Sequence, residues 1–432
     1  MIELARDNHN EVISPPTDVL VQTNDDIKEL SIWRNRAFLF VFASTSLSVL
    51  GSTFHSIALN LWILQTTGSA RLMSAVVIIH LVITMLFGSF AGTIADRVNR
   101  KNLMLATDII RFVLISLIAL LIYLPNTSYM YIIILTGIVA FVGTFRSPAF
   151  QAALVEIVGK NQLTQAVGAI SISDNIVRIS GFALGGIAVA LFGGAFAIAI
   201  DATTFLLSAI SLLLAGPFLF QRSKSSSKPT NSFREDLTEG IHYVWRDSFA
   251  RASIFLLPVV MLFFLSTFML IQVMAIQVWH AKSIVFGIIE ACIPLGFVIG
   301  SIIIMKLDKR LKRRGWWILG SMLLMGPLFI IISQVSNAYV ALPFIFLVGF
   351  LFSFSTTIIY IMLRVAIEPD IQGRVFGLLG ALTSVAPPVG LALFSTLSDY
   401  YGPSPIILIS GIIMILIISI AAYRMRTFRS FN

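Results

Sequence analysis

A small set of ionisable side chains lies inside otherwise apolar stretches, where a charge is costly and is kept for a partner, a cavity or a function. Asp174 and Arg178 are four residues apart, so on a helix they share a face and can pair. The competing view is a structural pair that fixes one helix against its neighbours. Glu290 has no basic residue within a turn of it. A carboxyl with no cation beside it can take up and release a proton, which makes Glu290 the best lone acid for proton coupling. His55 can join such a relay, the plainer alternative being a hydrogen-bonded histidine, and His80 is a weaker case of the same kind. Asp108 and Arg111, three apart, suit a structural charge pair. His55, His80 and the single cysteine, Cys292, make neither a nucleophile set nor a metal site, so no metal and no intramembrane enzyme is expected. A Walker-type phosphate loop is absent from the sequence, so active transport would run on an ion gradient.

The elements that must position these groups follow from composition. Of 432 residues, 57% are hydrophobic and 12% charged, against about 25% charged in a soluble domain. The chain therefore lacks the polar residues to coat a water-facing surface. Apolar runs recur at 38–63, 72–95, 103–123, 130–150, 166–191, 195–219, 253–279, 284–305, 316–334, 338–362, 373–397 and 404–423. About 20 apolar residues in a helix cross about 30 Å of hydrocarbon, and helices satisfy their own backbone groups in lipid. None of the runs alternates with the period of two found in membrane barrels. The fold class that follows is an all-α membrane protein of twelve transmembrane helices, with the lipid bilayer as its solvent. With both termini inside, twenty-five of the 30 Lys and Arg fall in inner segments. Arg71 and Lys282 lie in outer loops, and Arg111, Arg146 and Arg178 lie within runs. That asymmetry orients the helices by the positive-inside rule, and it accounts for the formal charge of +9 without a nucleic-acid partner. Residues 1–36 begin polar and mildly acidic rather than basic and then apolar, so a cytoplasmic tail is expected there, not a leader.

The longest inner loop separates six runs from six. It divides the chain into an N-terminal half at 37–220, a linker at 221–251 and a C-terminal half at 252–432. The linker opens with flexible Arg222-Ser-Lys-Ser-Ser-Ser-Lys228. It closes with Phe233, Leu237, Ile241, Val244 and Trp245 at helical spacing, an amphipathic helix for the bilayer surface or the helix ends. A shift of 212 residues superposes Gly88-Ser89 on Gly300-Ser301, Asp96-Arg97 on Asp308-Lys309 and Arg100-Lys101 on Lys312-Arg313. The same shift places Glu156 on Glu368 and Gly168 on Gly380. Duplicated halves around a central mid-membrane site are an architecture of alternating-access transporters.

The second inner loop reads Gly92-Thr-Ile-Ala-Asp96-Arg97-Val-Asn99-Arg100-Lys101. It resembles the signature between helices two and three of the major facilitator superfamily, with Asn99 where that family has its second glycine. Asn is the commonest non-glycine residue in the left-handed conformation, so the tight turn is expected to persist. Three further stretches are similar to the drug-efflux and secretion-effector branch that includes macrolide efflux proteins. They are Ser147-Pro-Ala-Phe-Gln-Ala-Ala-Leu-Val-Glu156 with Leu163 and Ala166, Asp201-Ala-Thr-Thr-Phe-Leu-Leu-Ser208, and residues 233–244 with Glu239-Gly240. Gly181-Phe-Ala-Leu-Gly185-Gly186 is similar to the glycine-rich antiporter motif of drug exporters, with Phe182 in place of its proline. Close helix approach is the compatible, plainer role for these glycines. Arg146 matches the family's helix-four arginine in placement only.

The resemblance implies two six-helix halves and a proton-coupled secondary transporter without a cofactor. It would act as a monomer in a bacterial plasma membrane and export an amphipathic small molecule, such as a drug or secreted metabolite, by alternating access. It implies that Gly92, Asp96, Arg97, Arg100 and Lys101 form a gate locking the cytoplasmic ends together in the outward-facing state. Asp201 enters as a pore-lining or packing acid. The alternatives are an importer of a nutrient or ion on the same fold, and a non-transporting membrane receptor or scaffold.

Overall fold

A computed structural model describes residues 31–125, 127–216, 233–307 and 313–424. Residues 1–30 of the expected tail, 217–220 at the end of the expected N-terminal half, 221–232 of the expected linker, and the basic positions 309, 310 and 312 lie outside the described residues. After a short 3-10 turn, Ile32–Arg34, come twelve α-helices among the described residues. They are α1 (Arg36–Thr67), α2 (Ala70–Ala95), α3 (Arg100–Tyr123), α4 (Tyr129–Phe192), α5 (Gly194–Leu214), α6 (Phe233–Arg246), α7 (Ser248–Gln277), α8 (Ser283–Leu307), α9 (Arg314–Gln334), α10 (Ala338–Ala366), α11 (Pro369–Tyr401) and α12 (Pro403–Arg424). All but α6, 11 helices, are long and apolar enough to cross a membrane. Helix α4 is the fourth and fifth apolar runs joined end to end. Its two arms, 129–158 and 160–192, meet at Gly159, where φ is 71° and ψ 172°. That conformation is essentially reserved for glycine, and each arm is long enough to cross once, which restores twelve crossings.

Capping chemistry sets the helix ends. The side chains of Ser69, Asn99, Ser128, Asp247 and Asn337 accept hydrogen bonds from first-turn amides of α2, α3, α4, α7 and α10. At Asn99 this corrects the left-handed turn expected from the sequence. Its φ of −64° and ψ of 116° are extended, because its amide oxygen takes the Asn102 N–H at 3.1 Å. The turn survives as a helix cap instead.

The duplication is visible in the element bounds: α7 starts 212 residues after α1, and α8 ends 212 residues after α2. One hydrophobic core runs through both repeats, with a smaller cluster around Phe38, Met104 and Phe150 in the first. In the first, α1 packs on α5 and α4, and α3 on both; in the second, α7 packs on α11, α8 on α10, and α9 on α12 and α10. Gly51 lets α1 lie close on α5, because a Cβ there would collide with the Thr204 hydroxyl and stand 3.0 Å from Asp201 Cα. The amphipathic α6 lies across α7 and α11. Val244 is buried and Trp245 exposed, Glu239 pairs with Arg374 at 2.9 Å, and Gly240 clears space for the Arg374 Cβ.

The bundle has two ends. The near end holds Arg36, the α2–α3 turn and Arg424; the far end holds Thr67, the start of α2 and the α11–α12 junction. Hydrogen bonds of Asn60, Ser69, Ser74 and Gln277 join the halves towards the far end. Gly186 on α4 meets Gly287 on α8 so closely there that a Cβ on Gly186 would sit 2.6 Å from the Ser283 carbonyl oxygen. At the near end the opposite holds: a Cβ on Gly88 or Gly92 of α2, Gly168 of α4, or Gly373, Gly377 or Gly380 of α11 would meet nothing within 4 Å. The halves are clamped at the far end and parted at the near end.

Candidate functional site

The ionisable groups form a ladder through the first half. Nearest the near end, Asp108 on α3 is fully buried and accepts from Arg146 Nε at 2.7 Å and from Ser208 Oγ at 2.6 Å. Arg146 Nη2 also donates to Ser44 Oγ at 3.0 Å and to Ser208 Oγ at 3.3 Å. Four helices, α1, α3, α4 and α5, thus meet on one satisfied ion pair, the condition under which a buried charge is tolerable. Asp108 was expected to pair with Arg111. The structure gives it Arg146 instead, because a helix-to-helix reach brings two serine hydroxyls with the guanidinium, which the neighbouring turn of α3 cannot supply. Arg111 lies over the Phe205 ring, its guanidinium carbon 4.0 Å from the centroid, and its Nε is buried without a hydrogen-bond partner.

Asp201 on α5 is buried, and its Oδ2 lies 3.2 Å from His55 Nδ1 of α1. The separation is that of an ion pair, but the angle does not make a hydrogen bond, and Asp201 Oδ1 has no partner. Asp174 on the second arm of α4 is half-buried with Oδ1 unpartnered, while Arg178 is exposed. No ion pair closes between them, so the four-residue spacing brings them to one face without joining them. Glu290 on α8 is 4% exposed, and its Oε1 is likewise without a partner. Asp201 and Glu290 each lie seven residues in from the far-end start of their helix, at about 10 Å depth. His80 is exposed on α2. Asp174, Asp201 and Glu290 therefore each carry a buried oxygen with nothing to bond it, as does Glu156, whose other oxygen pairs with Arg100; this is a rare condition that calls for an explanation.

The second half holds a group of packed aromatic rings. Phe264 of α7 and Phe352 of α10 stack with centroids 3.7 Å apart, Phe268 of α7 and Phe297 of α8 extend that cluster, and Phe263 of α7 separately meets Phe394 of α11.

The near-end signature divides in two. Asp96 and Arg97 are exposed on the turn after α2. Arg100 is buried, forms an ion pair with Glu156 and donates to the Ala152 carbonyl at 3.3 Å. Lys101 Nζ donates to the carbonyls of Leu213 and Gly216, at 3.2 and 2.7 Å, where a cation complements the end of α5. Arg100 and Lys101 hold their own half together; Asp96 and Arg97, with the open face of Gly92, stand at the parted mouth. The helix-five glycines are packing positions. Gly181 and Gly185 back onto α1 at Thr53 and Phe54, and Gly186 onto α8. Among the described residues no group of three or more His, Cys, Asp or Glu is placed to hold a metal ion.

The sequence did not single out the far-end contacts. Asp399, at the end of α11, accepts from Ser69 Oγ, the Ala70 N–H and Arg71 Nε, each at 2.7 Å. Ser74 Oγ donates to Ser395 Oγ at 2.8 Å, Asn60 Nδ2 to Gln272 Oε1 at 3.3 Å, and Gln277 Nε2 to the Gly68 carbonyl at 2.6 Å. A signal was present: Asp399 is the one acid in the outer loops, where Arg71 is one of two bases.

Comparison with known proteins places this arrangement. Residues 27–431 match the family of transmembrane secretion effectors. The chain is 23% identical over 387 residues to the macrolide efflux protein A of Streptococcus pyogenes, covering 88% of this chain and 94% of that one. It is 26% identical over 376 residues to the staphyloferrin A transporter of Staphylococcus aureus, covering 84% and 90%. Among solved structures, a bacterial homologue of the human lysosomal transporter Spinster, inward-facing and unoccupied, superposes with a TM-score of 0.70 at 13% identity. That match covers 92% of this chain and 98% of the other.

Proposed function

The chain belongs to the transmembrane secretion effectors of the major facilitator superfamily, and on that premise we propose that it exports amphipathic small molecules, drugs or secreted metabolites, in exchange for protons. It is a membrane transporter, not an enzyme, with efflux-type relatives. The observation that carries the proposal is the one-ended closure. Two repeats clamped at the far end and parted at the near end form one of the two states alternating access requires. The basic residues around the near end, Arg36, Arg97 and Arg424 among them, support a cytoplasmic face there, and on that reading the state described faces inward.

Export enters by likeness to relatives named for efflux. Proton coupling is supported by Asp174, Asp201 and Glu290, whose partnerless oxygens are places to take up and give back a proton, with His55 beside Asp201 as a relay. No cofactor is called for, and a single chain is sufficient for the cycle.

Expression in a bacterial strain lacking its own exporters, with a panel of macrolides and other amphipathic drugs, tests this reading. Accumulation of at least one compound is expected to fall severalfold, and a protonophore to restore it. Glu290→Gln should abolish the protonophore-sensitive part while leaving binding intact, and Asp174→Asn should impair both. If no compound's accumulation changes, the export reading fails; if a protonophore has no effect, the coupling reading fails.

A further inference from the structure

The two far-end seams are equivalent under the internal repeat but are built from different chemistry. Asn60 and Gln272, 212 residues apart, touch each other, so equivalent positions of the two repeats meet on the axis that relates them. On one side of that axis the end of α4 meets the start of α8 through Gly186 and Gly287, backbone against backbone. On the other side the end of α11 meets the start of α2 through a carboxylate. Ile187 and Ser283 occupy the positions equivalent to Asp399 and Arg71. One seam is therefore apolar and close-packed, and the other is electrostatic.

We infer that Asp399, seated on the N-terminus of α2, is the latch that holds the far end shut and is released when that end opens. Helix α2 starts at Ala70, and its positive end is offered to the carboxylate by the Ala70 N–H, by the capping hydroxyl of Ser69 and by Arg71, which also leans over the Tyr400 ring. Ser69 does both jobs, accepting from the Leu72 N–H at 3.3 Å while donating to Asp399. The contact is built to be broken. Arg71 is half-exposed and Asp399 keeps some access to water, so water can replace every donor when the helices part. Just inside, Ser74 and Ser395 are buried against each other and supply a seal. A latch bonded in one state and solvated in the other biases the exchange by its differential stability alone.

This assignment rests on the two-state exchange proposed above, and its test reads thiol accessibility rather than flux, so a failure to find an exported compound would leave it standing. In protein reconstituted in nanodiscs, with Cys292→Ser as background, Ser395→Cys reports the far-end seam and Gly92→Cys the near-end mouth to a hydrophilic maleimide. Asp399→Asn should speed labelling at 395 by about tenfold and slow it at 92, and Asp399→Glu should recover part of the protection. Arg71→Gln, at an exposed position where folding is not at stake, should shift both reporters the same way by a smaller factor. A disulfide between Ser74→Cys and Ser395→Cys should hold position 92 reactive even when Asp399 is replaced. Unchanged labelling in both Asp399→Asn and Arg71→Gln overturns the latch. A lowered melting temperature with both reporters unmoved also overturns it, leaving Asp399 a helix cap only.

Discussion

Gly186→Leu is expected to spring the far end apart and reduce transport by about tenfold or more, with the protein still folded in the membrane. The reason is geometric. The Cβ alone would stand 2.6 Å from the Ser283 carbonyl oxygen and 3.0 Å from Gly287 Cα, and backbone of two spanning helices cannot yield locally. Overpacking of this kind costs about 1–3 kcal/mol even for small additions, and about 1.4 kcal/mol is a tenfold change in a two-state equilibrium. Because the collision exists only while the far end is shut, the cost falls on one state. The expected readout is raised far-end thiol reactivity together with lost export. Gly320→Leu on α9, a position outside both mouths, controls for bulk, since a side chain there meets open space. Equal far-end reactivity in Gly186→Leu and wild type would show that α4 and α8 do not approach as described.

The largest loss of stability is expected from Asp108→Ala. That change leaves the Arg146 guanidinium inside the bundle with only Ser44 and Ser208 oxygens for company. Breaking one partner of a buried pair costs about 3–5 kcal/mol, whereas replacing both with apolar residues of similar volume is often neutral. Asp108→Leu combined with Arg146→Met should therefore recover most of the melting temperature lost by Asp108→Ala in detergent. A single substitution that leaves unfolding unmoved would mean the pair is not held as described. If Asp108 acts only through structure, transport should track melting temperature across these variants rather than pH.

The helices were legible because each apolar run had to be long enough for the bilayer, a constraint the sequence states directly. The join between the fourth and fifth runs was less so. Ser147, Gln151 and Glu156 end the apolar pattern well before the helix ends, since that arm continues past the hydrocarbon until Gly159 breaks it. Partners of the buried charges were hidden for a different reason. Spacing rules see one helix, so they offered Arg111 to Asp108 and Arg178 to Asp174. The actual neighbours are decided by which helices pack, and Arg146 arrives from α4. His55 and Asp201, each noted separately, are brought together by the contact of α1 with α5. Asp399 was overlooked because it lies outside the apolar runs, where charges pass as ordinary loop residues.

Paired spin-label distances across both mouths test the two-ended exchange most directly. With Cys292→Ser as background in a reconstituted bilayer, one pair would join Val98 to Gly377 at the near end and another Thr66 to Tyr401 at the far end. Two populations are expected, one long at the near mouth and short at the far mouth, the other reversed, with acidification shifting their ratio. Distances that lengthen at both mouths together, or a single unchanging population at each, would contradict the account.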